Sequence, residues 1–267
     1  MIKEIRDRVK KLSPLIHCIT NPISINQCAN VILSAGARPM MAEHPQEVSV
    51  ITATAGALLL NLGNFTDVRA ESMPISARTA KENDIPFILD ACGAACLPSR
   101  RSYALGIAEK FSPSVIKGNY SEIEALYSED YISSGVDADR TLDTRSVEAA
   151  AAALAVRYGC VILASGAVDI VTDGKRLTRI SNGTPQLGTI TGTGCMQGAL
   201  CAAYLAGGES YEAAVSCCCV LGICGEKAAT DRGSGTFFVG LMDALSTVTD
   251  EDIKERLRTE EIFIEKN

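Results

Sequence analysis

The sequence predicts an α/β fold of three layers, a mostly parallel central sheet with helices on both faces. Short apolar runs alternate with helical stretches over the first two thirds of the chain, and each run ends in Gly, Asn, Asp or Ser. The composition agrees: 47% of residues are hydrophobic, only 5% are aromatic and none is Trp. Such a chain packs helix on sheet closely through Ala, Gly, Val and Leu.

Taken in order, "MIKEIRDRVKKLSP" is a charged amphipathic helix; no apolar stretch follows it, so it does not read as a signal peptide. "LIHCIT" is the first strand and "ISINQCANVILSAG" the helix after it. "ALLLNLG" and "PFILDACG" are strands, followed by the helices "TDVRAESMPISARTAKEN" and "SRRSYALGIAEKF". "SVIKGN" is the next strand, and the Ala-rich "SVEAAAAALAVRYG" leads into "CVILASG". The rhythm then changes. "VDIVTDGKRLTRI" holds two strand-like runs around Asp173-Gly174, a two-residue hairpin signal. From Gly194 to about Leu245 nearly everything reads as helix. No Pro- or Ser-rich linker and no repeat divides the chain, so one domain over 1–267 is expected.

Composition also excludes partners. A net charge of −7 argues against nucleic acid, which needs basic clusters to neutralise phosphate. No apolar run reaches about 18 residues, so no membrane-spanning helix is expected. The eleven cysteines are an odd number without a C-x-x-C pair. Most lie in small-residue runs such as "AVSCCCVLGICGEKAA", where Cys behaves as a small buried hydrophobe. A reducing, cytoplasmic setting is expected.

In an open parallel sheet, ligands bind beyond the carboxyl ends of the strands. Asn21, Asn61, Asp90, Lys117, Asn119, Glu122 and Ser165 all fall at or just after such ends. Each alone is explained by a turn or a helix cap; their recurrence points to a site. The stretch "GTITGTGCMQGALCAAYLAGG" adds Gly192-Thr193-Gly194 at the mouth of a helix, with Cys195 next. Free N–H groups and the positive end of the helix dipole make that turn an anion site. A tight turn with close helix packing explains the same glycines, and the spacing of Gly192, Gly194 and Gly198 is neither a P-loop nor a dinucleotide fingerprint. Asp90 and Glu122 offer oxygen ligands for Mg²⁺, and Lys117 a point charge for phosphate. His17, inside the first strand, is read as a core or cap residue, and His44 as a candidate lining residue.

Together "HCITNPISINQCANVILSAGARPMMAEHPQEV", "ILDACG", "VIKGNYSEI", "ASGAVDIVTDG" and "TGTGCM" resemble the hydroxyethylthiazole kinases, thiamine-salvage enzymes of the ribokinase-like superfamily. The resemblance runs from about residue 10 to residue 245, with the motifs in the family's order. It implies a homotrimer that uses ATP and Mg²⁺ to phosphorylate the primary alcohol of 4-methyl-5-(2-hydroxyethyl)thiazole. It places Met41 against the thiazole, and Asn21 and Gly192 near the substrate. It puts Lys117 and Ser165 on ATP, where the family usually has Arg and Thr, and Asp90 and Glu122 near the metal. The turn Gly192, Thr193, Gly194 and Cys195 becomes the anion hole, with Cys195 at the superfamily's catalytic-base position. The family's D-P-V-G-x-G-A-T stretch is altered here to "DACGAACLPSR". A pyrimidine or vitamin B6-type alcohol is the alternative substrate, and a ligand-binding protein on a kinase scaffold is the alternative class.

Overall fold

The computed structural model describes residues 1–128, 131 and 143–264. Its strands are β1 (Leu15–Ile19), β2 (Arg38–Met40), β3 (Ala57–Asn61), β4 (Phe87–Asp90), β5 (Val115–Asn119), β6 (Val161–Ser165), β7 (Asp169–Thr172), β8 (Arg176–Ile180) and β9 (Thr259–Phe263). The helices are α1 (Ile2–Leu12), α2 (Ile25–Ser34), α3 (Val48–Thr52), α4 (Asp67–Glu82), α5 (Pro98–Phe111), α6 (Tyr120–Tyr127), α7 (Thr144–Tyr158), α8 (Thr193–Leu205), α9 (Ser210–Ala228), α10 (Ser234–Thr247) and α11 (Asp250–Arg256).

The strands form one sheet in the order β2-β1-β3-β4-β5-β6-β7-β8-β9. Every pairing from β2 to β6 is parallel, and those from β6 to β9 are antiparallel. The expected three-layer, mostly parallel fold is the one observed. Strand β3 shows why its sequence is apolar throughout: Leu59 packs into the cluster under α2, α8 and α9, while Leu58 and Leu60 pack into the cluster under α4 to α7. A strand covered on both faces has no polar side to alternate with.

Three details depart from the sequence reading. Strands β2 and β9 lie at the two edges, and β9 is largely exposed, so neither carries an apolar pattern. Helix α6 begins directly at the end of β5, where only the strand was expected. The β7–β8 turn sits one residue further on, at Gly174-Lys175, because Asp173 N–H bonds Arg176 O and leaves just those two residues in the loop. Gly174 supplies the positive φ, +82°, at the first central position. As the sequence reading expected, α4 runs straight through Pro74. Proline cannot donate to the carbonyl four residues back, and the Tyr103 hydroxyl donates to that carbonyl, Ala70 O, at 2.9 Å instead.

Candidate active site

The parallel register builds the centre of the site. Asn61 pairs with Asp90 across β3 and β4, and Asp90 with Lys117 across β4 and β5. Three polar residues therefore stand side by side at strand ends beneath α8, which packs on β3 and β4. All are buried, with exposures of 0%, 2% and 3%.

Buried polar groups need partners, and here both asparagine side chains have one for each amide hydrogen. Asn61 Nδ2 donates to Asp90 Oδ2 at 2.9 Å and to Cys195 Sγ at 3.4 Å. Asn61 Oδ1 accepts from Asn21 Nδ2 at 3.0 Å and from Gly63 N at 2.9 Å. Asn21 Nδ2 gives its second hydrogen to Cys195 Sγ at 3.3 Å, and Asn21 Oδ1 accepts from Ser24 N and Ser24 Oγ. Lys117 Nζ completes the chain by donating to Asp90 Oδ2 at 3.3 Å. The amide orientation of Asn61 follows from this: reversed, its oxygen would face a carboxylate and its NH₂ an N–H. Cys195 Sγ thus receives two N–H groups.

The glycine turn stands over Lys117. Gly192 is the N-cap of α8 with φ +89°, a left-handed value that suits glycine, and a Cβ there would meet Ser24 Cβ at 3.0 Å. Met196 N bonds Gly192 O at 2.8 Å, and no side chain caps the helix, so among the described residues the N–H groups of Thr193, Gly194 and Cys195 have no partner. The Thr193 hydroxyl is turned away, donating to Leu187 O. A Cβ at Gly194 would lie 3.7 Å from Lys117 Nζ, and one at Gly198 would lie 3.3 Å from Asp90 Oδ2. Both glycines of this i, i+4 pair let α8 approach the charged residues.

Glu122 lies on the first turn of α6 and has two attachments. Its Oε1 accepts from Gly93 N and its Oε2 from Asn119 N, both at 2.7 Å, and Asn119 Oδ1 in turn accepts from Glu122 N. This reciprocal capping box locks the carboxylate in place. Burial, and then the charge of Asp90, raise its carboxyl to about 7. Burial works against the Lys117 ammonium as well, but Asp90 and Glu122 outweigh it and hold the group firmly charged. Ser165 ends β6 beside Asn119, half-buried, with its hydroxyl donating to Gly118 O at 3.3 Å.

Met41 stands apart from this network. It lines a cavity of about 170 Å³ together with Cys18, Thr20, Pro22, Ile25, Ala42 and the Glu43–Arg69 ion pair. His17 is buried beneath that loop. Ala42 O can only accept, so His17 Nε2 carries the hydrogen for their 3.0 Å bond, while Nδ1 faces Thr52 Oγ1 at 2.8 Å. Burial lowers its pKa. His44 is exposed and does not line the cavity. The strand-end reading included Asn61 without giving it a role, and it passed over Thr20, although Thr20 directly precedes Asn21.

Residues 6–251 match the model of the Hydroxyethylthiazole kinase family. The chain is 42% identical over 262 residues to a protein of Clostridium botulinum strain Langeland named Hydroxyethylthiazole kinase 2, covering 96% of this chain and 98% of that one. It is 38% identical over 267 residues to the hydroxyethylthiazole kinase of Ruminiclostridium cellulolyticum, covering 98% and 96%. A solved hydroxyethylthiazole kinase structure from Pyrococcus horikoshii OT3 superposes with a TM-score of 0.90 at 32% identity, over 98% of each chain. The pyridoxal kinase of Staphylococcus aureus, solved with AMP-PCP and pyridoxal, shares the fold at 13% identity, with a TM-score of 0.64 over 94% of this chain and 98% of that one. The chain belongs to the hydroxyethylthiazole kinase family.

Proposed function

We propose that this network is the phosphoryl-transfer centre of a hydroxyethylthiazole kinase, acting on 4-methyl-5-(2-hydroxyethyl)thiazole with ATP. The observation that supports it best is the uncapped turn of α8 standing over the buried Lys117 ammonium, 3.7 Å from where a Gly194 side chain would begin. In this reading the open N–H groups of Thr193 to Cys195 receive the transferring phosphoryl group, and Lys117 adds a fixed positive charge. Cys195, oriented by Asn21 and Asn61, aligns the substrate hydroxyl with that group. Gly192 lines the approach, Met41 contacts the ring, and Ser165 meets the nucleotide. A loose phosphoryl-transfer transition state depends on such positioning more than on a strong base.

The donor set at Asp90 and Glu122 fits Mg²⁺. Asp90 Oδ2 is held by Asn61 and Lys117, while Oδ1 accepts no hydrogen bond from a described residue. Among the described residues no group of three or more His, Cys, Asp or Glu could enclose a metal. Two hard carboxylates suit an ion that keeps water and phosphate oxygens as its other ligands. When bound, the ion would neutralise phosphate charge. The capping box of Glu122 would hold that ligand still.

We further propose that the whole chain acts as one unit, that it works as a homotrimer, and that it is cytoplasmic. Exposed Met40 on β2 and Leu33 on α2, which packs on β2, suit a subunit contact, and all eleven cysteines are free thiols. No helix among the described residues is long and apolar enough to cross a membrane.

The test is ADP release with the thiazole alcohol, a pyrimidine alcohol and pyridoxine, titrated with Mg²⁺, for the native chain, Asp90→Asn and Glu122→Gln. Turnover on the thiazole alone, with a raised Mg²⁺ requirement in both variants, is the expected result. Equal turnover on pyridoxine would overturn the substrate, and an unchanged Mg²⁺ dependence in both variants the metal site. Light scattering that showed an active monomer would overturn the trimer.

A further inference from the structure

The half-buried carboxylate of Asp169 has no part in the network around Cys195. It opens β7, directly after the turn at 166–168 that follows Ser165. Its two oxygens face different elements. Oδ1 accepts from Gly166 N at 3.0 Å, inside that turn, and Oδ2 accepts from Gln197 Nε2 at 2.8 Å, on α8. Burial raises the Asp169 carboxyl, and the hydrogen bonds from Gly166 and Gln197 only partly offset it. Gln197 is 5% exposed and lies one helical turn beyond Thr193; its Nε2 also meets Cys218 Sγ on α9 at 3.5 Å. The turn after Ser165 is fastened a second time by Tyr120, whose hydroxyl donates to Val168 O at 2.6 Å. The Asp169–Gln197 bond therefore joins two surfaces that a ligand can reach, exposed Gly166 beside Ser165 and exposed Gly194 over Lys117.

We propose that Asp169 and Gln197 are positioning residues, their hydrogen bond holding the Ser165 turn and the N-terminus of α8 in register for a nucleotide that spans both. The inference rests on the kinase reading and deepens it. In that reading the nucleoside lies at Ser165 and the phosphates at the open N–H groups of α8. When the protein keeps two subsites at a fixed separation, the second contact of a spanning ligand becomes intramolecular and strengthens the first. Only a ligand that reaches both subsites gains from this. Adenosine reaches one and pyrophosphate the other, so neither depends on the register between them. A hydrogen bond to a carboxylate is among the stronger ones, and losing this one should weaken a spanning nucleotide roughly tenfold.

The experiment measures ADP binding by calorimetry, and adenosine and pyrophosphate by displacement of bound ADP. The proteins are the native chain, Gln197→Met, Gln197→Glu and the double variant Asp169→Asn/Gln197→Glu. Gln197→Met removes the donor, and Gln197→Glu sets two carboxylates against each other. Both should weaken ADP roughly tenfold and leave adenosine and pyrophosphate within about twofold of native. The double variant returns a donor and an acceptor in the opposite sense, so it should bind ADP as the native chain does. Unchanged ADP binding in Gln197→Met would overturn the proposal. So would a loss shared equally by ADP and its two fragments, or a double variant no better than Gln197→Glu. If Gln197→Glu fails to fold, Gln197→Met carries the comparison of ligands; if neither folds, the bond is a requirement of folding and the proposal fails. A native chain and variants that show the expected pattern, with no phosphoryl transfer to the thiazole, would count against the kinase reading and leave the role of Asp169 standing.

Discussion

Gly198→Ala tests how closely α8 must press on the charged residues. The added Cβ would lie 3.3 Å from Asp90 Oδ2, 3.5 Å from Leu59 Cδ1 and 3.7 Å from Lys117 Cδ. The last two are ordinary contacts; the first requires the carboxylate to retreat by a few tenths of an ångström. Asp90 Oδ2 is fixed by Asn61 at 2.9 Å and Lys117 at 3.3 Å, so the retreat strains one of those bonds. A hydrogen bond to a charged group contributes about 1.5–3 kcal/mol, and partial stretching of one costs about 1 kcal/mol. Replacing a mid-helix glycine by alanine offsets this by about 1 kcal/mol. Stability should therefore stay within about 1 kcal/mol of native, while turnover falls about tenfold, the equivalent of 1.4 kcal/mol in the transition state. Gly198→Val adds two methyl groups toward Leu59 and Lys117, where overpacking costs about 1–3 kcal/mol more. Urea midpoints and kcat at saturating ATP and Mg²⁺ read the two effects separately. If Gly198→Ala gained about 1 kcal/mol of stability and kept native turnover, α8 would not be pressing on Asp90 and the reasoning would be wrong.

Two further outcomes follow from the same geometry. Cys195→Ala should retain measurable turnover and Cys195→Asp should equal or exceed native, because the Asn21 and Asn61 amides that now meet Sγ can meet a carboxylate in its place; a dead Cys195→Ala with no gain in Cys195→Asp would make the thiol itself essential. Burial lowers the pKa of His17 below 6.5 in the fold, so the unfolded chain takes up the proton first and stability falls as pH drops below about 6.5. His17→Gln should flatten that acid slope by up to one proton, about 1.4 kcal/mol per pH unit, and urea midpoints between about pH 5 and 7 that stay parallel to native would show that His17 is not the group responsible.

What the sequence disclosed was the local part of the structure. A buried strand declares itself through a continuous apolar run, and its end through Asn61, Asp90 or Ser165. The glycine turn was visible because the positive φ at Gly192 demands the absence of a side chain. Bonds that join distant segments were not visible. Asn61 meets Cys195 across 134 residues and Asn21 meets it across 174, and no spacing rule links them. Strands β2 and β9 were missed for another reason: edge strands need no apolar face, so Thr259–Phe263 carries no periodic signal.

Glu122 carries an observed role, the helix cap, and a proposed one, the metal ligand, and the two are compatible. Asn and Glu three residues apart at a helix start suggest a cap, and a carboxylate beyond a parallel strand suggests a metal ligand. The structure shows the cap in full, with both oxygens taking backbone N–H groups. A carboxylate capped in this way keeps further lone pairs free, since each oxygen offers two. Burial and the nearby Asp90 meanwhile make its negative charge costly, as a carboxyl raised to about 7 records. A divalent cation would relieve that cost, and the cap would hold the ligand in position before the ion arrives. On the proposed metal role, the rigidity given by the cap is what a ligand positioned before the ion arrives would require.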